Sequence, residues 1–212
     1  MCPTHCHEDH VTLQNRVTPL NELVADPSYR GTFMGNRGVL HDDHRTIVRW
    51  RNSNSWITCL LAYKGRRNTP MTPGLYTELF FLDEATALAA GHRPCAMCRR
   101  ERFNAFRQAI AVGGGSNLTA TELDTRLDDE RRAGNVQRRH VANSADLPDG
   151  VMMIAHDMAH LLWHGQLFGW SPSGYLSAGP LPSGDVEVLT PPITVRALRG
   201  GFVPEIHPSL PT

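Results

Sequence analysis

The sequence predicts an α+β protein. Three observations carry this. Short runs of bulky residues separated by turn residues fill the stretch 36–82. Strong helix signals follow between 83 and 133. A turn-punctuated, β-rich stretch occupies 146–203. At 212 residues the chain is long enough to hide roughly 70% of its unfolded surface. Its 41% hydrophobic and 20% charged residues exclude disordered and fibrous classes.

The elements follow in order. Residues 1–10, rich in Cys, His and acid, are expected to be a flexible tail. A β-meander is expected over 36–63, with a strand approaching His41, a turn at Asp42-Asp43 and a return strand Arg45 to Arg51. In that return strand Ile47 alternates with Arg45 and Arg49. Trp56 to Tyr63 and Thr77 to Leu82 read as further strands on either side of the Gly/Pro-rich loop 65–74. Asp83 caps a helix from Glu84 to Ala90, and Gly91 ends it. A second helix runs from near Ala96 to Val112 and places Phe103, Phe106 and Ile110 on one face. Thr119 and Glu122 form a capping box for a third helix, Ala120 to Ala133, with Leu118 and Leu123 as its staple. The linker Gly113–Asn117 divides an N-terminal lobe (11–112) from a C-terminal lobe (113–212). Val151 to His164 fits a hairpin turning at Asp157-Met158 better than a helix, because turns flank it.

Formal net charge is zero, yet residues 30–107 carry 13 basic and 6 acidic groups, and both flanks are acidic. Such a basic middle suits a nucleic-acid partner. Arg45, Arg49, Trp50 and Arg51 interleave cation and aromatic, as base-stacking, phosphate-binding surfaces do. Arg99, Arg100 and Arg102 add charge at the start of the second helix. The longest mainly apolar run, Ile57 to Tyr63, is far below the roughly 20 residues that cross a bilayer. The first residues show no charged region followed by an apolar stretch. The expected location is the cytoplasm, with no membrane partner and the five cysteines as thiols or metal ligands.

The strongest chemical signal is Cys95-Ala96-Met97-Cys98. Two thiolates at this spacing, the first just before a helix, can both reach one zinc ion. The segment Phe80-Phe81-Leu82-Asp83-Glu84-Ala85-Thr86-Ala87-Leu88-Ala89-Ala90-Gly91-His92-Arg93-Pro94-Cys95-Ala96-Met97-Cys98 resembles the second half of the metal-binding domain of Ada-type DNA methylphosphotriester repair proteins. That resemblance implies an Ada-like strand-helix-helix lobe in which Cys95 and Cys98 ligate zinc. The family's first cysteine pair has no counterpart here, since the stretch 60–94 contains no Cys. Three completions are open. Cys59 joins the pair, with His41 or His44 as fourth ligand; or Cys2 and Cys6, with three residues between them, complete it; or Cys95 and Cys98 are buried thiols without metal. Methyl acceptance is not expected, because strand alternation aims Cys59, with Ile57 and Leu61, toward the apolar side.

Other groups carry weaker signals. The tail cluster Cys2, His5, Cys6, His7 and His10 offers metal-competent side chains. His41-Asp42-Asp43-His44 reads first as turn chemistry. His156-Asp157-Met158-Ala159-His160 has the spacing of a helical zinc-protease site, but Asp stands where the Glu should be. The function expected first is a DNA- or RNA-binding protein of nucleic-acid maintenance, with zinc as candidate cofactor. The alternatives are a metal-dependent hydrolase or nuclease using the His/Asp groups, and a metal-free interaction protein.

Overall fold

The computed structural model describes residues 12–65 and 69–211, an α+β arrangement whose described residues form two six-stranded sheets, a small hairpin and four α-helices. The first sheet is built from β1 (Arg16–Val17), β2 (Leu23–Val24), β3 (Phe33–Asn36), β4 (Ile57–Cys59), β5 (Leu79–Phe81) and β6 (Arg93–Pro94), in the order β2-β1-β5-β3-β4-β6. β1 runs parallel to β5 and β4 runs parallel to β6, so the sheet is mixed.

The expected meander over 36–63 is corrected. β3 and β4 are antiparallel partners, but between them only an isolated bridge, His41 to Ile47, is formed. Asp42 Oδ1 accepts from the His44 and Thr46 N–H groups, both at 2.9 Å, and Arg45 takes a left-handed φ of 60°. This side-chain turn competes with strand pairing. The strand expected over 56–63 stops at Cys59, and Leu60 and Leu61 are exposed.

Helix α1 (Glu84–Ala89) starts where the sequence predicts. The Thr86 N–H and hydroxyl both donate to Asp83 Oδ1 at 2.8 Å. Gly91 adopts φ 78°, the left-handed conformation that ends helices at little cost to glycine. Every residue of α1 is buried, because small side chains let it pack on both sides. Ala87 and Ala90 meet the first sheet, and Ala85 and Ala89 meet the second.

Helix α2 (Arg100–Val112) begins later than predicted, since residues 95–98 form a separate turn with the Arg99 N–H donating to the Cys95 carbonyl at 3.0 Å. Phe103, Phe106 and Ile110 are buried on one face of it, as their spacing requires. Helix α3 (Ala120–Arg131) carries the complete capping box of Thr119 and Glu122. The chain then turns through the hairpin β7 (Arg132–Ala133) and β8 (Val136–Gln137), with Gly134 at φ 64°.

The second sheet contains β9 (His140–Asn143), β10 (Met152–Ala155), β11 (Met158–Trp163), β12 (Gln166–Ser171), β13 (Gly174–Pro180) and β14 (Asp185–Val188), all antiparallel. β10 and β11 form the predicted hairpin, with the turn one residue earlier, at His156-Asp157, both left-handed. Helix α4 (Pro192–Arg199) falls where the sequence reads as turn. Pro192 opens it, a position where proline's missing N–H costs nothing. One face of this sheet packs with α2, α3 and α4 through residues such as Val151, Val188, Phe106, Leu127 and Leu198. Apolar residues from both sides of Gly113–Asn117 thus share one cluster. Among the described residues no helix is long and apolar enough to cross a membrane.

Candidate metal centre

Cys59 and the distant pair Cys95 and Cys98 meet at one edge of the first sheet. β4 and β6 pair in parallel, and the Cys95 N–H donates to the Thr58 carbonyl at 2.9 Å. That bond fixes the turn at 95–98 beside the end of β4. The sulfurs of Cys59, Cys95 and Cys98 lie within 4.8 Å of one another, and no other described His, Cys, Asp or Glu completes a larger group. Cys95 is buried; Cys59 and Cys98 are half-buried. A tetrahedral zinc with Zn–S near 2.3 Å sets its sulfurs about 3.8 Å apart, so these three fit such an ion with little movement.

Electrostatics separate the thiols. Cys95 is lowered to about 5, first by its hydrogen bond with Cys59, with backbone N–H groups of Cys98 and Met97 assisting. The Met97 N–H donates to the Cys95 sulfur at 3.4 Å. Cys59 is pushed far up by the same Cys59–Cys95 bond and then by burial, while burial raises Cys98. One anionic sulfur is therefore favoured even with protons alone as counter-charges.

Alternation places Cys59 opposite to expectation. Thr58 is fully buried, whereas Ile57 and Cys59 face outward with Met34, Asn36, Glu78 and Phe80. This face borders a cleft of about 630 Å³. The reason is cover: α1 closes the Thr58 side, and the outward side keeps the space between the loop 60–65 and the turn 95–98.

The expected fourth ligands stand elsewhere. His41 is buried, its Nδ1 at 2.6 Å from Thr77 Oγ1 and its Nε2 at 3.2 Å from the Thr72 carbonyl. His44 sits exposed in the Asp42 turn. The Cys2/Cys6 alternative, with the tail histidines, lies outside the described residues. His156 and His160 occupy the β10–β11 hairpin with ring centroids 6.1 Å apart, and His164 lies in the next turn.

The cations also divide. Arg45, Arg49 and Arg100 are exposed. Arg51 is half-buried and donates to Asn54 Oδ1 at 2.5 Å, and Trp50 is half-buried against the Trp56 edge at 5.1 Å. Arg99 is not a surface cation. It is buried, pairs with Glu84 at 2.9 Å and Glu205 at 2.7 Å, and stacks on Phe33 at 4.3 Å. Arg102 likewise pairs with Glu84 and lies over Phe202. Glu84, buried in the first turn of α1, is what draws both inward; its place in a helix-start signal hid that role. Glu78, missed by the sequence reading, is buried on the cleft, and its Oε2 accepts from the Met71 N–H at 2.8 Å. No protein-family model, no curated protein and no solved structure matches this chain.

Proposed function

We propose that this is a zinc-thiolate protein of nucleic-acid maintenance, with Cys59, Cys95 and Cys98 as the metal ligands. The observation that carries the reading is the convergence of the three sulfurs within 4.8 Å at an open cleft. Zinc bound there would keep the sulfurs anionic at neutral pH, and three protein ligands are the number found where a metal keeps a position for another group. The cysteines' own contribution is to hold one sulfur anionic in advance, through the Cys59 and Met97 hydrogen bonds to Cys95.

The nucleic-acid part of the reading draws on the basic surplus of residues 30–107, of which Arg45, Arg49 and Arg100 face solvent. Phosphate contacts of this kind weaken steeply with salt. The Ada-like lobe belongs to the same proposal: it rests on the segment 80–98 and on the cysteine geometry. The hydrolase alternative is disfavoured, since the His/Asp groups it needs do not converge among the described residues.

Elemental analysis of protein purified without chelator tests the metal. About one zinc per chain, lost in Cys95→Ser, is expected; less than about a tenth of an equivalent overturns it. A gel-shift titration tests the partner: binding at low salt, lost with Arg45, Arg49 and Arg100 reversed to Glu, is expected. Methyl acceptance is still not expected, now on ligand number alone, because Cys59 faces the cleft and not the core. Intact mass after incubation with methylphosphotriester DNA should stay unchanged; a gain of one methyl group reverses that expectation.

A further inference from the structure

The cleft beside the thiols contains an unanswered hydrogen-bond acceptor. Glu78 immediately precedes β5 and is 3% exposed. Continuing the β3–β5 register sets it opposite Asn36, on the same face as Ile57 and Cys59. Its Oε2 is used by the Met71 N–H, but its Oε1 is buried without any hydrogen-bond partner among the described residues. A buried acceptor left unsatisfied costs about 1–3 kcal/mol, and native structures rarely keep one without a reason. Apart from Asn36 and the three thiols the remaining wall is largely apolar and aromatic, with Met34, Ile57, Leu61, Tyr63, Tyr76 and Phe80. At about 630 Å³ the space lies within the ordinary range of small-ligand sites.

These features select a ligand. Flat apolar walls with aromatic rings favour a flat heteroaromatic body. A carboxylate in the lining requires N–H donors on that body's edge and rejects carbonyl oxygens. We propose that the cleft binds a single nucleobase, with Glu78 accepting from its donor edge. Guanine fits best, because its ring N–H and amino group are adjacent and can meet both carboxylate oxygens. Cytosine and adenine offer an amino group alone. Uracil offers one N–H flanked by two carbonyls, which the carboxylate repels. The assignment takes from the proposed function only that the ligand is a nucleic-acid component; it does not need the metal. The same base edge is presented by a free nucleoside or by an unstacked base in a single strand.

The test is calorimetric titration of the whole chain with guanosine, cytidine, adenosine and uridine, and with a short single-stranded oligonucleotide carrying one guanine. Guanosine should bind at least tenfold more tightly than uridine. Glu78→Gln should lose at least tenfold for guanosine, since the amide puts a donor where an acceptor is needed. Leu61→Trp, at an exposed position of the wall, should weaken every base, and it keeps the test open should Glu78→Gln not fold. Tighter binding of the oligonucleotide identifies a strand as the source; equal binding identifies the free nucleoside. Equal affinities for guanosine and uridine, or an unaffected Glu78→Gln, each overturns the proposal. Repeating the titration on Cys95→Ser separates the two readings. Parent protein that holds no zinc yet binds guanosine removes the metal and leaves the base site, and guanosine binding retained in Cys95→Ser shows that the base site does not need the metal. Zinc-loaded protein that binds no base does the reverse.

Discussion

The two faces of the first sheet share a backbone and differ in everything else. On one face Asn36, Ile57, Cys59 and Glu78 border an open cleft. On the other, one residue out of step, Arg37, Trp56, Thr58 and Phe81 are fully buried. There Trp56 lies between two guanidinium groups, Arg37 at 4.1 Å and Arg131 at 4.0 Å from its ring centroid. His92 packs against Trp56 and Phe81 and accepts from Arg37 Nε at 3.2 Å. Burial, then the neighbouring Arg131, holds Arg37 well below its usual range. Burial likewise brings Arg131 down to about 10. The difference teaches where this molecule spends stability and where it leaves room for chemistry. The sealed face holds Arg37 with ring faces and neutral acceptors and Arg131 with the same ring and Asp128, whereas on the open face thiols and Glu78 line a cleft.

The largest test of that contrast is Trp56→Ala. It removes a buried ring and the partner of two cations, so a loss of about 3–5 kcal/mol is expected in denaturant unfolding. A loss below about 1 kcal/mol would mean the sealed face is not the stabilising one. Acid comes next. Burial, with Arg37 and Arg131, depresses His92 well below its ordinary value. Below about pH 6.5 the unfolded chain then binds a proton that the folded one refuses. The His92 contribution should therefore be flat above that pH and add a fall of up to about 1.4 kcal/mol per unit beneath it, on top of the slope that the lowered Cys95 thiol already gives between its folded value of about 5 and its ordinary one. Unfolding curves measured from pH 7.5 to 5.5 check this, and His92→Gln should flatten the slope. Arg37→Met is a smaller test. It exchanges an unpaired buried cation for an apolar chain of similar length, and stability should be unchanged or rise by about 1 kcal/mol. Arg37 Nη2 also donates to Asn21 Oδ1, and a fall of more than about 2 kcal/mol would show that the ring, His92 and Asn21 contacts fully compensate the charge. The smallest effect belongs to the open face: Leu61→Ala should stay within about 0.5 kcal/mol of the parent. A larger change there would place the cleft wall among the stabilising elements.

The legibility of the sequence follows the range of the interactions. Asp83 with Thr86, Thr119 with Glu122, and Gly91 after Ala90 act within a few residues, so the starts of α1 and α3 and the end of α1 could be read directly. The spacing of Phe103, Phe106 and Ile110 likewise identified a buried helix face. The hairpin β10–β11 was legible from its flanking turns, but α4 was not, because Pro191-Pro192 signals a turn as well as a helix start. In the site, the Cys95–Cys98 pair and the candidacy of Cys59 were visible. Which way Cys59 points was not.

Local chemistry alone determined the α+β class, the helix caps and the presence of a cysteine pair near the start of a helix. Alternation in a strand establishes that Thr58 and Cys59 face opposite ways, but it cannot say which way is in. That was decided by α1, whose small residues close the Thr58 face. Tertiary structure also turned Arg99 and Arg102 inward toward Glu84, tied His41 to Thr77 and Thr72, and brought Glu78 to the cleft. Each of these depends on a partner 15 or more residues away, and a contact at that separation exists only once the sheets and helices have packed.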